Sequence, residues 1–271
     1  MALRPLFDND DCEDLGTCPI HENVKLVKSM LPGGDPICPE CARLTLEELA
    51  HKHDLEASNQ MRQHFLQKWS LVDDWQTFDE SNFENYKTIP GSREEWLKSE
   101  VIDNAKELLT VPMQAQTMIL CGPPGVGKTH LAVATLKYVQ KHSNQTCLFI
   151  NVNSLLRHIK NSFDNPQEFW TQTNAIQQMQ KADLLCLDDL GTESAMAGVS
   201  QATNFVQNIL YEVLNVQRRV IITSNLTEQQ MKMIYNPKLV SRIFKNSLGT
   251  VYDFTGIEDK RRNLRRWQDN G

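Results

Sequence analysis

The stretch GPPGVGKT at residues 122–129 decides the fold of this chain. It matches the pattern G-x-x-x-x-G-K-[ST] in full. An apolar run of strand type, TMILC at 117–121, precedes it, and a helical pattern, LAVATL at 131–136, follows it. A strand, a glycine-rich loop and a helix in this order form a phosphate-binding site, because backbone N–H groups and the helix N-terminus face the phosphate oxygens. The stretch therefore predicts binding of a nucleoside triphosphate.

The side chains of this loop have separate expected roles. Lys128 reaches the β- and γ-phosphates, and the Thr129 hydroxyl is a ligand of Mg²⁺. The glycines let the backbone turn tightly against the phosphates. We expect the nucleotide to contact Gly122, Pro123, Pro124, Gly125, Val126, Gly127, Lys128, Thr129 and His130.

Strand and helix patterns alternate beyond the loop. Strands are predicted at 146–150, 184–187 and 220–225, and helices at 155–160, from Asn165 onward, and at 201–216. Alternation of this kind indicates an α/β fold in which a parallel sheet is flanked by helices on both faces. Ligands of such folds bind at the carboxyl ends of the strands.

Two of the predicted strands end in polar residues. LLCLDD at 184–189 places Asp188 beside Mg²⁺ and Asp189 where it can orient or deprotonate an attacking water. Asn225 ends the next strand and is suited to aligning that water, although Ser and Asn are also ordinary turn formers. These residues predict an ATPase.

The N-terminal region carries two short knuckles, CPIH at 18–21 and CPEC at 38–41. Cys18, His21, Cys38 and Cys41 supply four ligands at a spacing suited to structural, tetrahedral Zn²⁺. Unrelated free thiols or a disulfide pair are the alternatives, and Cys12 is a spare candidate ligand. The other three cysteines of the seven lie in apolar runs, so we expect them to be buried: Cys121, Cys147 and Cys186.

A helix follows the second knuckle. TLEE at 45–48 reads as a capping box, and the helix is predicted to reach about Leu71. Its apolar face either packs on a neighbouring module or binds a partner. We predict three parts of the chain: a zinc-binding module with this helix (1–71), a linker (72–91) and the nucleotide-binding domain (92–271). The face has three- and four-residue spacing and contains Leu46, Leu49, His53, Ala57, Met61 and Phe65.

The composition narrows the class of protein. The 271 residues carry a net charge of −6, so DNA contact depends on local basic patches and not on an overall positive charge. We see no apolar run near the roughly 20 residues that span a bilayer, so we expect no membrane partner and a cytoplasmic location.

The motifs GPPGVGKTH, LLCLDDLG, IITSN and VSRI (240–243), in this order, resemble the AAA+ ATPases of the DnaC/DnaI helicase-loader group. IstB-like transposition ATPases share this core. The resemblance spans about residue 78 to the C-terminus and implies a reduced lid. It implies that Arg242 is an arginine finger reaching a neighbouring subunit's nucleotide, and that Arg261, after Gly256, is the second sensor arginine. The alternative for Arg242 is a surface cation on a short helix.

The knuckles favour the DnaI-like or phage-type members of this group, whose zinc-stabilised N-terminal domain grips the replicative helicase. The resemblance also implies that Arg157, Lys160 and Phe163 contact single-stranded DNA; the alternative is a solvated basic helix face with Phe163 in the core.

We therefore expect an ATP-dependent loader of a DnaB-type helicase in replication initiation and primosome assembly. It would use ATP/ADP, Mg²⁺ and structural Zn²⁺ and self-associate through its AAA+ domains. The alternatives are an IstB-like transposition helper, or an ATP-binding adaptor that needs no hydrolysis.

Overall fold

The structure is a computed structural model that describes residues 15–29, 34–110, 114–192 and 202–262. It divides into two compact units, Met1–Gln60 and Met61–Gly271. The predicted part boundaries at residues 71 and 91 stay predictions. The spare ligand candidate Cys12 lies outside the described residues, as does the segment from 263 onward.

The first unit is built from two short turns and the start of a long helix. Antiparallel bridges pair Thr17 with Lys25 and Val27 with Ile37. Helix α1 (Pro39–Trp69) follows, and the boundary between the units falls within it. It begins six residues before the predicted start at Thr45, because proline suits the first helical position. The Thr45 hydroxyl donates to the carbonyl of Cys41 (2.9 Å) inside the helix, so Thr45 is not the N-cap.

The second unit contains a parallel sheet of five strands, in the order β2-β3-β4-β1-β5. All four neighbouring pairs are parallel. The predicted parallel α/β sheet is therefore confirmed. The strands are β1 (Gln116–Cys121), β2 (Cys147–Asn151), β3 (Leu184–Leu190), β4 (Arg219–Ser224) and β5 (Val251–Asp253).

Helices in the described part of the chain cover both faces of the sheet. They are α2 (Trp75–Glu80), α3 (Arg93–Thr110), α4 (Lys128–His142), α5 (Val152–Asn161), α6 (Gln172–Lys181), α7 (Asn204–Val216), α8 (Glu228–Ile234) and α9 (Pro237–Ile243), followed by a 3₁₀ turn (Lys260–Arg262).

Helix α6 starts later than the sequence predicted. The side chain of Asn165 accepts a hydrogen bond from the N–H of Gln167 (3.1 Å) and stabilises a turn there. The helix begins only after Thr171, whose hydroxyl caps the N–H of Asn174 (3.2 Å). The start predicted at Asn165 is therefore wrong.

The strands bury both of their faces, and alternate residues enter two different clusters. Ile119 and Leu148 belong to the cluster that contains residues of α5, α6 and α7. Met118 and Leu120 belong to the cluster that contains residues of α3 and α4. Cys121, Cys147 and Cys186 are buried, as predicted.

Residues 72–91, predicted as a linker, instead contribute a helix and core aromatics. Phe78 and Tyr86 are 4% and 2% exposed. Just before this segment, Leu71 pairs with the edge strand β2: its N–H donates to Phe149 (2.9 Å) and its carbonyl accepts from Asn151 (3.0 Å). The aromatic side chains outweigh the polar composition of the segment, because each one buries a large apolar area. Among the residues that the structure describes, no helix is both long and apolar enough to cross a membrane.

Candidate functional site

The phosphate loop joins β1 to α4, and its geometry matches the sequence prediction. Gly125 and Gly127 have φ values of 81° and 90°, in the left-handed region that favours glycine. Lys128 is the first residue of α4, so its side chain starts at the positive end of the helix. Gly125, Gly127 and Lys128 line one cavity.

Lys128 is held by oxygen atoms and not by solvent. Its Nζ donates to the carbonyls of Gly122 (2.8 Å) and Pro123 (2.7 Å) and to Oδ1 of Asn225 (2.9 Å). Burial lowers the pKa of Lys128, while the nearby carboxylates of Asp189 and Asp188 act in the opposite direction. The structure thus brings the strand-end Asn225 directly to the loop lysine.

A cluster of oxygen atoms surrounds Asp188 at the end of β3. The hydroxyls of Thr129 (2.8 Å) and Thr223 (2.7 Å) both donate to its Oδ1. Burial, followed by the charge of Asp189, raises the pKa of Asp188 to about 6. A carboxylate and a hydroxyl at hydrogen-bond distance are the kind of oxygen donors that Mg²⁺ binds, so the donor set fits this ion.

Asp189 adopts an unusual backbone conformation at the same strand end. Its φ is 59°, and it is one of two non-glycine residues with positive φ in the described part of the chain. Its N–H donates to the Thr223 hydroxyl (2.9 Å), and burial raises its pKa. Left-handed conformations of non-glycine residues concentrate at functional sites.

A cavity of about 580 Å³ lies over the phosphate loop, within the range of small-molecule sites. Lys128, Thr129, Asp189 and Asn225 lie in its wall, together with Pro124, Gly125, Gly127 and His130.

The two arginines implied by the resemblance lie in different places. Arg261 lines the cavity. Arg242 does not line it; it lies in α9, with its guanidinium 5.7 Å from the centroid of the Tyr211 ring. Both assigned roles stay predictions.

The four knuckle residues of the first unit converge. Ligand atoms of Cys18, His21, Cys38 and Cys41 all lie within 4.8 Å of one another. Nδ1 of His21 is 3.7, 3.6 and 3.4 Å from the sulfurs of Cys18, Cys38 and Cys41. A tetrahedron with Zn–S bonds of about 2.3 Å has edges of about 3.8 Å. The donor set and spacing therefore fit a structural zinc ion, and no disulfide joins the described cysteines.

The predicted DNA residues lie on and just after α5. This helix buries Leu155, Leu156 and Ile159 and exposes Arg157 and Lys160. Phe163 is 66% exposed, so the alternative that placed it in the core is wrong. Its ring lies 6.1 Å from that of Phe205. Arg157 pairs with Asp73 at 3.6 Å.

Sequence reasoning missed several residues of the site. Thr223 donates to Asp188, and Asn151 at the end of β2 also hydrogen-bonds Asp188. Tyr86 also lies in the cavity wall. Lys260 lies there too, and the sequence had marked it only as part of a basic run (260–267) suited to subunit or nucleotide contact. Asn151 directly follows a predicted strand and Thr223 lies two residues before the end of another, positions that could have revealed them. Tyr86 stood in the predicted linker and gave no such signal.

Fold and site together define an AAA+ ATP-binding protein. The family of IstB-like ATP-binding proteins matches residues 42–246, and the chain belongs to this family.

Named relatives are replicative helicase loaders. The chain is 28% identical over 141 residues to the replicative helicase loader DnaC of Buchnera aphidicola subsp. Acyrthosiphon pisum, covering 51% of this chain and 54% of the relative. It is 26% identical over 178 residues to DnaC of Buchnera aphidicola subsp. Schizaphis graminum, covering 64% and 67%. The chain thus spans about half to two thirds of these relatives.

A solved structure has the same fold. The crystal structure of DnaI is similar with a TM-score of 0.52 and 20% identity, covering 69% of this chain and 96% of that one. The family match, the DnaC relatives and this shared fold together confirm the resemblance of the motifs to the DnaC/DnaI group.

Proposed function

We propose that this chain is an ATP-dependent loader that places a DnaB-type replicative helicase on single-stranded DNA. The observation that carries the proposal is the similarity to DnaC loaders, which extends over half of the chain or more. The Cys/His cluster that precedes the nucleotide-binding domain supports a loader with a separate partner-binding module. Such a loader would act in the cytoplasm, where replication proceeds.

The nucleotide site has the groups that hydrolysis needs. Lys128 would exchange its contacts with Asn225 and the loop carbonyls for phosphate oxygens. Thr129 and Asp188 would hold Mg²⁺, which neutralises phosphate charge. Asp189 and Asn225 line the cavity. Asp189 would orient or deprotonate the attacking water, and Asn225 would align it.

Two arginines would complete the nucleotide site, one from the same subunit and one from a neighbouring subunit. Arg261 lies in the wall of the same chain's cavity, whereas Arg242 would reach the nucleotide of a neighbouring subunit. Arg242 is partly exposed on the short helix α9 and is available for such a contact. An arginine supplied in trans stabilises charge in the transition state. Hydrolysis by the isolated subunit is therefore expected to be slow, and self-association to accelerate it.

The N-terminal module would bind the helicase. Zn²⁺ held by Cys18, His21, Cys38 and Cys41 would be structural, since four protein ligands leave no open position. Leu46 and Leu49 on α1 are 59% and 56% exposed. Exposed leucines one turn apart offer an apolar surface for a partner helix or groove. Single-stranded DNA would contact Arg157, Lys160 and Phe163, because cations track the phosphate backbone and aromatic rings stack on bases.

Capture of the helicase tests this proposal. The full chain, immobilised, should retain a purified DnaB-type helicase from the same cell in stoichiometric amount. The double variant Leu46→Ser/Leu49→Ser should lose capture, while the matched variant Lys52→Ser, an exposed polar position of α1, should keep it. Absence of capture by the wild-type chain would exclude helicase loading.

The family match favours a second candidate, an ATPase that assists transposition on duplex DNA. This protein would bind a transposase and leave the helicase in the unbound fraction. The same capture experiment with a transposase in place of the helicase separates the two functions.

A further inference from the structure

Three segments that are far apart in sequence meet beside the phosphate loop. Tyr86 follows α2, Glu94 lies in the first turn of α3, and Lys260 begins the 3₁₀ turn. Tyr86 is 2% exposed, and the side chains of Lys260 and Glu94 are 21% and 11% exposed. The sequence indicates no role for Tyr86 or Glu94, and it marks Lys260 only as part of a basic run (260–267).

Tyr86 fixes the backbone of the loop. Its hydroxyl donates to the carbonyl of Val126 (2.8 Å), between the two glycines of the loop. Its ring packs so closely that a Cβ on Gly127 would lie 2.4 Å from Cε2 of Tyr86. The ring therefore limits movement of the loop toward Tyr86.

Lys260 contacts both the loop and this ring. Its backbone N–H donates to the carbonyl of Gly125 (3.0 Å). Its ammonium lies 3.8 Å from the centroid of the Tyr86 ring, pairs with Glu94 and donates to the carbonyl of Lys87. The attraction between a cation and an aromatic face is strongest when both groups are desolvated. Lys260 thus connects the loop, Tyr86 and α3 through one side chain.

Arg261 follows Lys260 directly and lines the cavity. Its N–H donates to Oδ1 of Asp259 (2.9 Å). The anchored position of Lys260 limits where the neighbouring arginine can point. An anchored turn therefore holds a second cation in the cavity wall, in a chain whose resemblance implies a reduced lid.

We propose that Tyr86 and Lys260 are positioning residues: together they hold the phosphate loop in its nucleotide-binding conformation and place Arg261 against the nucleotide. A preordered loop binds more tightly, because less conformational freedom is lost on binding. The proposal depends on nucleotide binding alone and not on helicase loading.

Replacement of each side chain tests the arrangement. Lys260→Met removes the charge and keeps the length, and we expect about tenfold weaker ATP binding, in line with a desolvated cation–π contact. Tyr86→Phe removes only the hydroxyl, and we expect about threefold weaker binding, as for one neutral hydrogen bond. Lys260→Arg keeps the cation and should restore most of the affinity.

The measurement is a fluorescence titration of the full chain with a fluorescent ATP analogue, without helicase or DNA. Thermal unfolding of each variant separates loss of folding from loss of positioning. The matched control is Lys232→Met, which breaks the exposed ion pair with Glu228 (2.5 Å) on α8 and should leave the affinity unchanged.

Two further outcomes decide the interpretation. The double variant should lose less affinity than the product of the single losses, because both side chains act on the same loop. Wild-type affinity in folded Lys260→Met, or no rescue by Lys260→Arg, would overturn the proposal. Normal nucleotide effects in a chain that captures no helicase would leave this inference standing and remove the loader function instead.

Discussion

The two units of this chain differ in the side chains that each one buries. Among the described residues 15–60 with assigned burial, the buried hydrophobic side chains are those of Cys18 and Cys38, both in the Cys/His cluster. In the second unit, leucine, isoleucine and valine side chains fill both faces of a five-stranded sheet. We expect a segment that buries so little apolar surface to need metal binding in order to fold, whereas the sheet has a core of its own.

Metal removal should therefore cause the largest loss of stability, and this loss should be confined to the first unit. Cys38→Ser treated with a zinc chelator should lose the metal and unfold residues 15–60, because structural zinc contributes roughly 10 kcal/mol or more to such modules. Metal analysis and hydrogen exchange would record this, and ATP binding should persist. Cys12→Ser is the control, expected to keep its zinc; zinc loss in that variant would contradict the ligand set.

Lys128→Ala should disable the second unit and leave the first intact. Loss of a charged donor to the phosphates should weaken ATP binding by about 100-fold. Fluorescence titration measures the affinity, and metal analysis should show an unchanged zinc content. Lys141→Ala, at the exposed end of α4, should bind ATP like the wild type. Equal losses in both variants would point to a general charge effect.

Asp188→Asn should stabilise the second unit in metal-free buffer while abolishing hydrolysis. The pKa of Asp188 is raised from 3.8 to about 6, so the ionised carboxylate destabilises the fold at neutral pH. Stability associated with the protonated group is complete below pH 3.8 and is lost as the pH rises through 6.

Urea unfolding in the presence of EDTA at two pH values tests whether the ionised carboxylate lowers stability. The variant should gain about 2 to 3 kcal/mol in free energy of unfolding at pH 7.5, and less than half of that at pH 4.5. A gain of equal size at both pH values would show that burial of the charge is not its cause.

Leu46→Ser/Leu49→Ser should have the smallest effect on stability. Both side chains are exposed, so we expect a change within about 0.5 kcal/mol per site, although helicase capture should be lost. Leu148→Ala, in the core of the second unit, should cost about 3 kcal/mol. Thermal unfolding compares them; a large loss from the serine variant would mean that these leucines pack within the folded chain.

The sequence predicted the strands, the phosphate loop and the convergence of Asp188, Asp189 and Asn225, because an apolar run that ends in polar residues is a local signal. It also predicted the Cys/His cluster, since ligand spacing is local too. The contacts of Tyr86 and Lys260 could not be predicted, although the basic run that begins at Lys260 is visible in the sequence. Their partners are 40 and more residues away, and a polar segment with scattered aromatics resembles a linker until tertiary packing buries the rings.

The start predicted for α1 at Thr45 was wrong for a related reason. The capping box at Thr45 is a valid local signal, but the knuckle at Cys38 already begins the helix at Pro39. The geometry of a folded cluster thus overrides a propensity that holds for isolated helices.

Helicase loading itself is tested most directly by strand unwinding on circular single-stranded DNA that is coated with single-strand-binding protein and carries an annealed oligonucleotide. A DnaB-type helicase should release the oligonucleotide when the wild-type chain and ATP are added, and should fail to do so with Lys128→Ala or the Leu46→Ser/Leu49→Ser variant. Release at the same rate with and without the wild-type chain would contradict the account.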